Sequence, residues 1–112
     1  MKIVFTAKGK DWDSMMDPRF GRAENFVLYD EETNKLTVVE NKDVANEAHG
    51  AGPKAAQKIS ELKADVLITG NGPGEKAGMV MQQLGVKCYI GAGDMTIKSA
   101  YEAYKKGELK EF

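Results

Sequence analysis

Two short, unbroken apolar runs, Ile3-Val4-Phe5 and Val66-Leu67-Ile68, constrain this chain more than any other feature. Each is rich in β-branched side chains and lacks polar alternation, so each reads as a central strand buried on both faces. Helices must then cover the sheet on both sides, and the spacing of apolar residues predicts three of them. Ala55, Ile59 and Leu62 form one stripe, Ala77, Val80, Met81 and Leu84 a second, and Ile97, Ala100, Tyr101 and Tyr104 a third. Their ends carry signals too: Pro53 suits a first helical position, Asp94 can cap the third helix, and Gly85 and Gly107 are natural left-handed stops.

Phe26 to Asp30 and Lys35 to Asn41 read as hairpin strands joined by Glu31-Glu32-Thr33-Asn34. Val86, Cys88 and Ile90 alternate with Lys87 and Tyr89, as on an edge strand protected by a lysine. The order is β-β-β-α-β-α-β-α, which predicts an α/β fold. Its mixed five-stranded sheet has the order 3-2-1-4-5, with only the second strand antiparallel, and this is an RNase H-like topology. Right-handed crossovers put the first two helices on one face and leave the third to cover the other. At 112 residues and 42% hydrophobic content, residues 1–112 are expected to form one domain.

The charge balance is sixteen basic against seventeen acidic residues, so no broad positive field exists to hold nucleic acid or a membrane surface. No apolar run approaches the ~18 residues of a membrane span, and the start runs straight into a strand without a signal-peptide pattern. One cysteine suits a reducing compartment, and a cytoplasmic protein is expected. Catalytic chemistry finds little support. Gly70 to Lys76 superficially resembles a phosphate-binding P-loop, but Glu75 stands where glycine is needed and Ala77 where a magnesium-binding hydroxyl is needed. The first strand carries no carboxylate for a metal-dependent nuclease, and Asp65 begins its strand at the opposite end from the glycine loops. One His and one Cys cannot complete a mononuclear zinc site, and Cys88 reads as an inert buried thiol.

Three glycine-studded stretches, His49-Gly50-Ala51-Gly52-Pro53, Gly70-Asn71-Gly72-Pro73-Gly74 and Gly91-Ala92-Gly93-Asp94, each precede a helical stripe. Glycine lets backbone N–H groups approach a ligand, and the first turn of a helix leaves donors unpaired, so such junctions hold anions; plain loop geometry is the alternative. In the proposed topology these loops and the long segment from Lys8 to Glu24 leave the same edge of the sheet, where open α/β sheets place ligands. His49 is either a solvated side chain or one imidazole ligand to a preassembled cluster whose coordination is otherwise nearly complete. Trp12, Met15 and Met16 either pack the long loop onto the sheet or form an adaptable partner surface.

The ordered combination Asp17-Pro18-Arg19-Phe20-Gly21-Arg22-Ala23, Phe26 and a strand, His49-Gly50-Ala51-Gly52, and Gly70-Asn71-Gly72-Pro73-Gly74 before a helix resembles the dinitrogenase iron-molybdenum cofactor biosynthesis family. That family includes NifX, NifY and the C-terminal domain of NifB, and the likeness covers essentially the whole chain. The resemblance implies an RNase H-like fold and noncatalytic binding or shuttling of iron-molybdenum cofactor or its iron-sulfur precursor, carried as cargo rather than as a resident cofactor. Donor and acceptor proteins for the cluster are implied as partners. The implied contacts are Arg19, Phe20, Gly21, Arg22, His49, Gly50, Gly52, Asn71, Gly72 and Gly74, with His49 as the metal ligand. Many relatives place histidine immediately before the Phe-Gly of the first motif, whereas this chain has Arg19, which can hydrogen-bond cluster sulfides but does not readily ligate metal. A binding module for a phosphorylated small molecule and a regulatory protein-interaction module are the competing readings.

Overall fold

The Ile3-Val4-Phe5 run lies at the middle of the sheet because it is hydrogen-bonded on both sides. It belongs to β1 (Lys2–Ala7), which pairs antiparallel with β2 (Asn25–Asp30) and parallel with β4 (Val66–Ile68). Beyond β2 lies β3 (Lys35–Glu40), antiparallel to it, and beyond β4 lies β5 (Lys87–Ile90), parallel to it. The computed structural model describes residues 1–46 and 50–112.

The sheet order is β3-β2-β1-β4-β5-β6, so the expected 3-2-1-4-5 arrangement is present, with β2 reversed, and is extended by one strand. The addition, β6 (Lys110–Glu111), pairs antiparallel with β5. Consequently β5 is not the edge strand that its alternating pattern suggests: the chain turns back after Gly107 and covers it. Four helices rather than three are present among the described residues: α1 (Lys42–Ala45), α2 (Ala51–Glu61), α3 (Glu75–Gln83) and α4 (Ile97–Lys105). The unexpected one, α1, is four residues long and buries Val44.

Strand residues alternate between two cores. Val4, Leu67 and Cys88 face α2 and α3, which contribute Ala55, Ala56, Ile59, Ala77 and Met81. Ile3, Phe5, Val66 and Ile68 face α4, which contributes Ile97 and Ala100. The first two long helices thus share one face and the last covers the other, as crossover handedness requires.

Three local expectations are corrected. Leu84 is 48% exposed, because it follows the end of α3 and the chain turns inward only at Val86. Pro53 is the third residue of α2, which begins at Ala51 after Gly50. The cap of α4 is Thr96, whose hydroxyl accepts from the Ser99 N–H at 3.1 Å, not Asp94. Gly85 and Gly107 do take left-handed conformations after α3 and α4.

The segment between β1 and β2 is held by backbone hydrogen bonds to distant parts of the chain. Met16 N–H donates to Met95, Asp17 N–H to Thr6, and Ile97 and Lys98 N–H to Ser14 and Trp12. Met16 is fully buried, and Trp12 sits among Phe5, Tyr29 and Tyr101 with ring centroids 6.3, 4.9 and 5.7 Å away. Of Trp12, Met15 and Met16, only Met15 stays largely exposed. No helix among the described residues is long and apolar enough to cross a membrane.

Candidate functional site

Because β1, β3, β4 and β5 all run the same way, the segments that follow them emerge at one edge. Close approaches of glycine show that these segments meet there. A Cβ at Gly70 would lie 2.5 Å from Pro18 Cα and 3.0 Å from Gly93 Cα, so the loops after β1, β4 and β5 touch backbone to backbone. A Cβ at Gly21 would lie 2.9 Å from Gly52 N, and one at Gly52 would lie 3.7 Å from Pro73 O. The start of α2 therefore stands between the Arg19-Phe20-Gly21 turn and the Gly70–Gly74 loop. Asn71 N–H donates to Pro18 O at 2.8 Å and Gly91 N–H to Gly70 O at 3.0 Å, which locks the three loops together.

Beneath this rim lies a small polar framework. Thr6 Oγ1 donates to the Asp17 carbonyl at 2.8 Å, so the 2.8 Å contact between Thr6 and Thr69 hydroxyls has Thr69 as donor. Asn41 Nδ2 donates to Gly21 O at 3.1 Å and Ala23 O at 2.9 Å. Thr6, Thr69 and Asn41 are fully buried and shape the rim from below, yet no motif in the sequence marks them. Their only signal is a polar residue at or just past the rim end of a strand.

The side chain of Asp17 is fully buried, and Arg19 wraps it. Arg19 N and Nε donate to Oδ1, and Nη2 to Oδ2, each at 3.0 Å. Burial by itself would raise the Asp17 carboxyl, but the Arg19 hydrogen bonds and charge, with Lys8 assisting, hold it below its ordinary value. The same hydrogen bond and charge raise the Arg19 guanidinium further. With 55% of its side chain exposed, Arg19 is fixed on its inner edge and presents its outer donors to solvent.

Both long helices on this face start at glycines that offer no side-chain cap. Gly50 precedes α2 in the left-handed region at φ 75°, and Gly74 precedes α3 at φ 85°, ψ 170°. Among the described residues, neither has a non-adjacent neighbour within 4 Å of where a Cβ would stand, and both glycines are exposed. By contrast α4, on the other face, has its cap from Thr96. The first-turn N–H groups of α2 and α3 are therefore the donors that a guest could use, each helix end adding a partial positive charge.

Of the residues singled out from the sequence, Arg19, Gly21, Gly50, Gly52, Asn71, Gly72 and Gly74 lie on the joined loops. Phe20 is 3% exposed and packs on Phe26 with ring centroids 6.0 Å apart, so its side chain supports the rim from within the core. Arg22 Nη1 donates to the Ala45 carbonyl at 2.8 Å, tying the first loop to the end of α1. His49 lies outside the described residues. Among those described, no three His, Cys, Asp or Glu side chains come together to hold a metal ion. Cys88 is 7% exposed, and burial pushes its thiol up to about 12, which removes it as a ready ligand or nucleophile. A cavity of about 770 Å³ lies not at the centre of these loops but alongside α3, between Gly74 and Phe112, with Cys88 in its lining.

A family model described as dinitrogenase iron-molybdenum cofactor matches residues 1–107. Two solved structures resemble the chain over nearly its whole length. The apo form of the orange protein from Desulfovibrio gigas is 35% identical, with a TM-score of 0.93 over 99% of this chain and 92% of that one. The NMR structure of a putative NifB protein from Thermotoga is 37% identical, with a TM-score of 0.83 over 98% of this chain and 91% of that one. No curated protein matches the sequence.

Proposed function

Since this chain belongs to the dinitrogenase iron-molybdenum cofactor family, we propose that it binds and carries a preassembled, anionic iron-sulfur or iron-molybdenum-type cluster without catalysing a reaction. The observation that carries this reading is the convergence of four chain segments around two uncapped helix starts, with Arg19 set between the Pro18 and Gly21 contacts. Backbone N–H groups and a guanidinium recognise the surface of an anion rather than a bare metal ion. A cluster that brings its own sulfides needs few further ligands, and His49 is assigned as the one metal ligand. Arg19, Arg22, the backbone of Phe20 and Gly21, Gly50, Gly52, Asn71, Gly72 and Gly74 supply the cradle. Proteins that donate and accept the cluster are the partners in this reading, in the reducing cytoplasm that a buried lone thiol suits.

Anaerobic titration with a synthetic thiolate-ligated iron-sulfur cluster, and in parallel with isolated iron-molybdenum cofactor, tests the proposal. Amide resonances of Arg19 to Arg22, Gly50 to Gly52 and Gly70 to Gly74 are expected to shift while those of α4 stay in place. Unchanged spectra at millimolar protein overturn it. The same uncapped helix starts favour a second reading, a module for a phosphorylated small molecule, which differs in predicting salt-sensitive binding that survives His49→Ala. A protein-interaction surface built on Trp12, Met15 and Met16 draws less support, because Trp12 and Met16 are engaged with the sheet.

A further inference from the structure

The ring of Phe112 fills a hollow that two glycines leave open. A Cβ at Gly72 would lie 2.9 Å from Phe112 Cδ2, and one at Gly78 would lie 2.8 Å from Phe112 Cε1. Gly72 belongs to the rim loop and Gly78 to α3, so one ring touches both the turn that would face a guest and the helix behind it. The backbone of Phe112 is fixed independently, since its N–H donates to the Cys88 carbonyl at 2.8 Å and continues the pairing of β6 with β5. The residue is 54% exposed and borders the cavity alongside α3. An aromatic ring half in water contributes little to a core. Here it is anchored by sheet pairing and set against a turn at φ 94°, which has few other side-chain supports available from its own sequence.

We propose that Phe112 is a positioning residue for the rim. It holds the Gly70–Gly74 loop in the form that presents the α3 start, so cargo affinity depends on a side chain that does not touch the cargo. This rests on the cluster-binding reading for its consequence, but its structural premise is measurable without any cluster. Phe112→Ala removes the ring, and Gly78→Ala displaces it from the helix side while leaving both ring and rim loop in the chain. Phe112→Tyr keeps the ring and serves as the rescue.

Hydrogen exchange of the cargo-free proteins reads the loop directly through Asn71 and Gly91, whose N–H groups bond to Pro18 and Gly70. Exchange at these amides is expected to rise roughly fivefold or more in Phe112→Ala and Gly78→Ala, with amides of β1 and α4 unchanged and Phe112→Tyr behaving as the parent. Affinity for the synthetic thiolate-ligated iron-sulfur cluster is expected to fall in the first two variants only, by the factor by which the population of the closed rim loop falls. Unchanged exchange at Asn71 and Gly91 in both variants overturns the proposal, as does a uniform rise at every amide, which marks general destabilisation. If the parent protein takes up no cluster while the loop amides still respond, the cluster-binding reading fails and the positioning role of Phe112 stands.

Discussion

At the scale of single residues, the rim depends on one buried charge. Asp17 is removed from water and accepts three hydrogen bonds from Arg19. Replacing it by asparagine puts an amide where the guanidinium needs a carboxylate, and Asp17→Asn is expected to cost roughly 1–3 kcal/mol at neutral pH. The sign of the pH dependence follows from the depressed carboxyl. Its contribution is fully present above the ordinary value of 3.8 and is lost as pH falls through its lower value in the folded protein. The parent's advantage over Asp17→Asn in urea unfolding should therefore shrink at strongly acidic pH. A constant difference from neutral to acid would show that the charge is not what Asp17 contributes. Lys63 offers the opposite change. It follows α2 at φ 55°, a left-handed conformation that a side chain disfavours, and it is exposed. Lys63→Gly is expected to stabilise the fold by about 0.5–1 kcal/mol, and a loss of stability would point to an unseen role for the lysine.

At the scale of elements, the two ends of a helix decide what it can do. The start of α4 is satisfied by Thr96, so Thr96→Ala should cost about 1 kcal/mol while Asp94→Ala stays nearly neutral in the same thermal unfolding measurement. The reverse ranking would reinstate Asp94 as the cap. That cap is hard to read from Gly91-Ala92-Gly93-Asp94-Met95-Thr96, because two good capping residues stand two apart and the choice is made by the tertiary bond from Met16 to Met95. The sheet order was legible because β1 and β4 are apolar without interruption and the crossover rule leaves few alternatives. The meeting of the loops along one edge followed from that order and needed no side-chain information. By contrast β6 is two exposed residues without periodicity, and α1 is a single turn. The segment from Lys8 to Glu24 is ordered by bonds to residues some eighty positions away, which no local pattern encodes. The threonine pair under the rim was equally silent, since an isolated hydroxyl in a strand looks the same whether it is structural or idle.

At the scale of the whole molecule, the net charge of −1 supplies no long-range attraction for an anion. Arg19, an exposed cation fixed at the rim, has a buried carboxylate at its back. Recognition must then come from short-range donors and whatever His49 adds, and this separates a cluster carrier from a phosphate module. At a cluster concentration about a hundred times its dissociation constant, binding should stabilise the fold by about 2.7 kcal/mol, which for a chain of this size raises the unfolding midpoint by roughly 10 °C. A guest held by a metal–imidazole bond and sulfide hydrogen bonds keeps most of that shift in high salt and loses it in His49→Ala. A guest held only at the helix starts keeps it in His49→Ala and loses it as salt screens the exposed charges. Scanning unfolding of parent and variant with the cluster present, at low and high salt, therefore assigns the receptacle to one chemistry. A shift that resists both the mutation and the salt belongs to neither, and places the binding away from the rim.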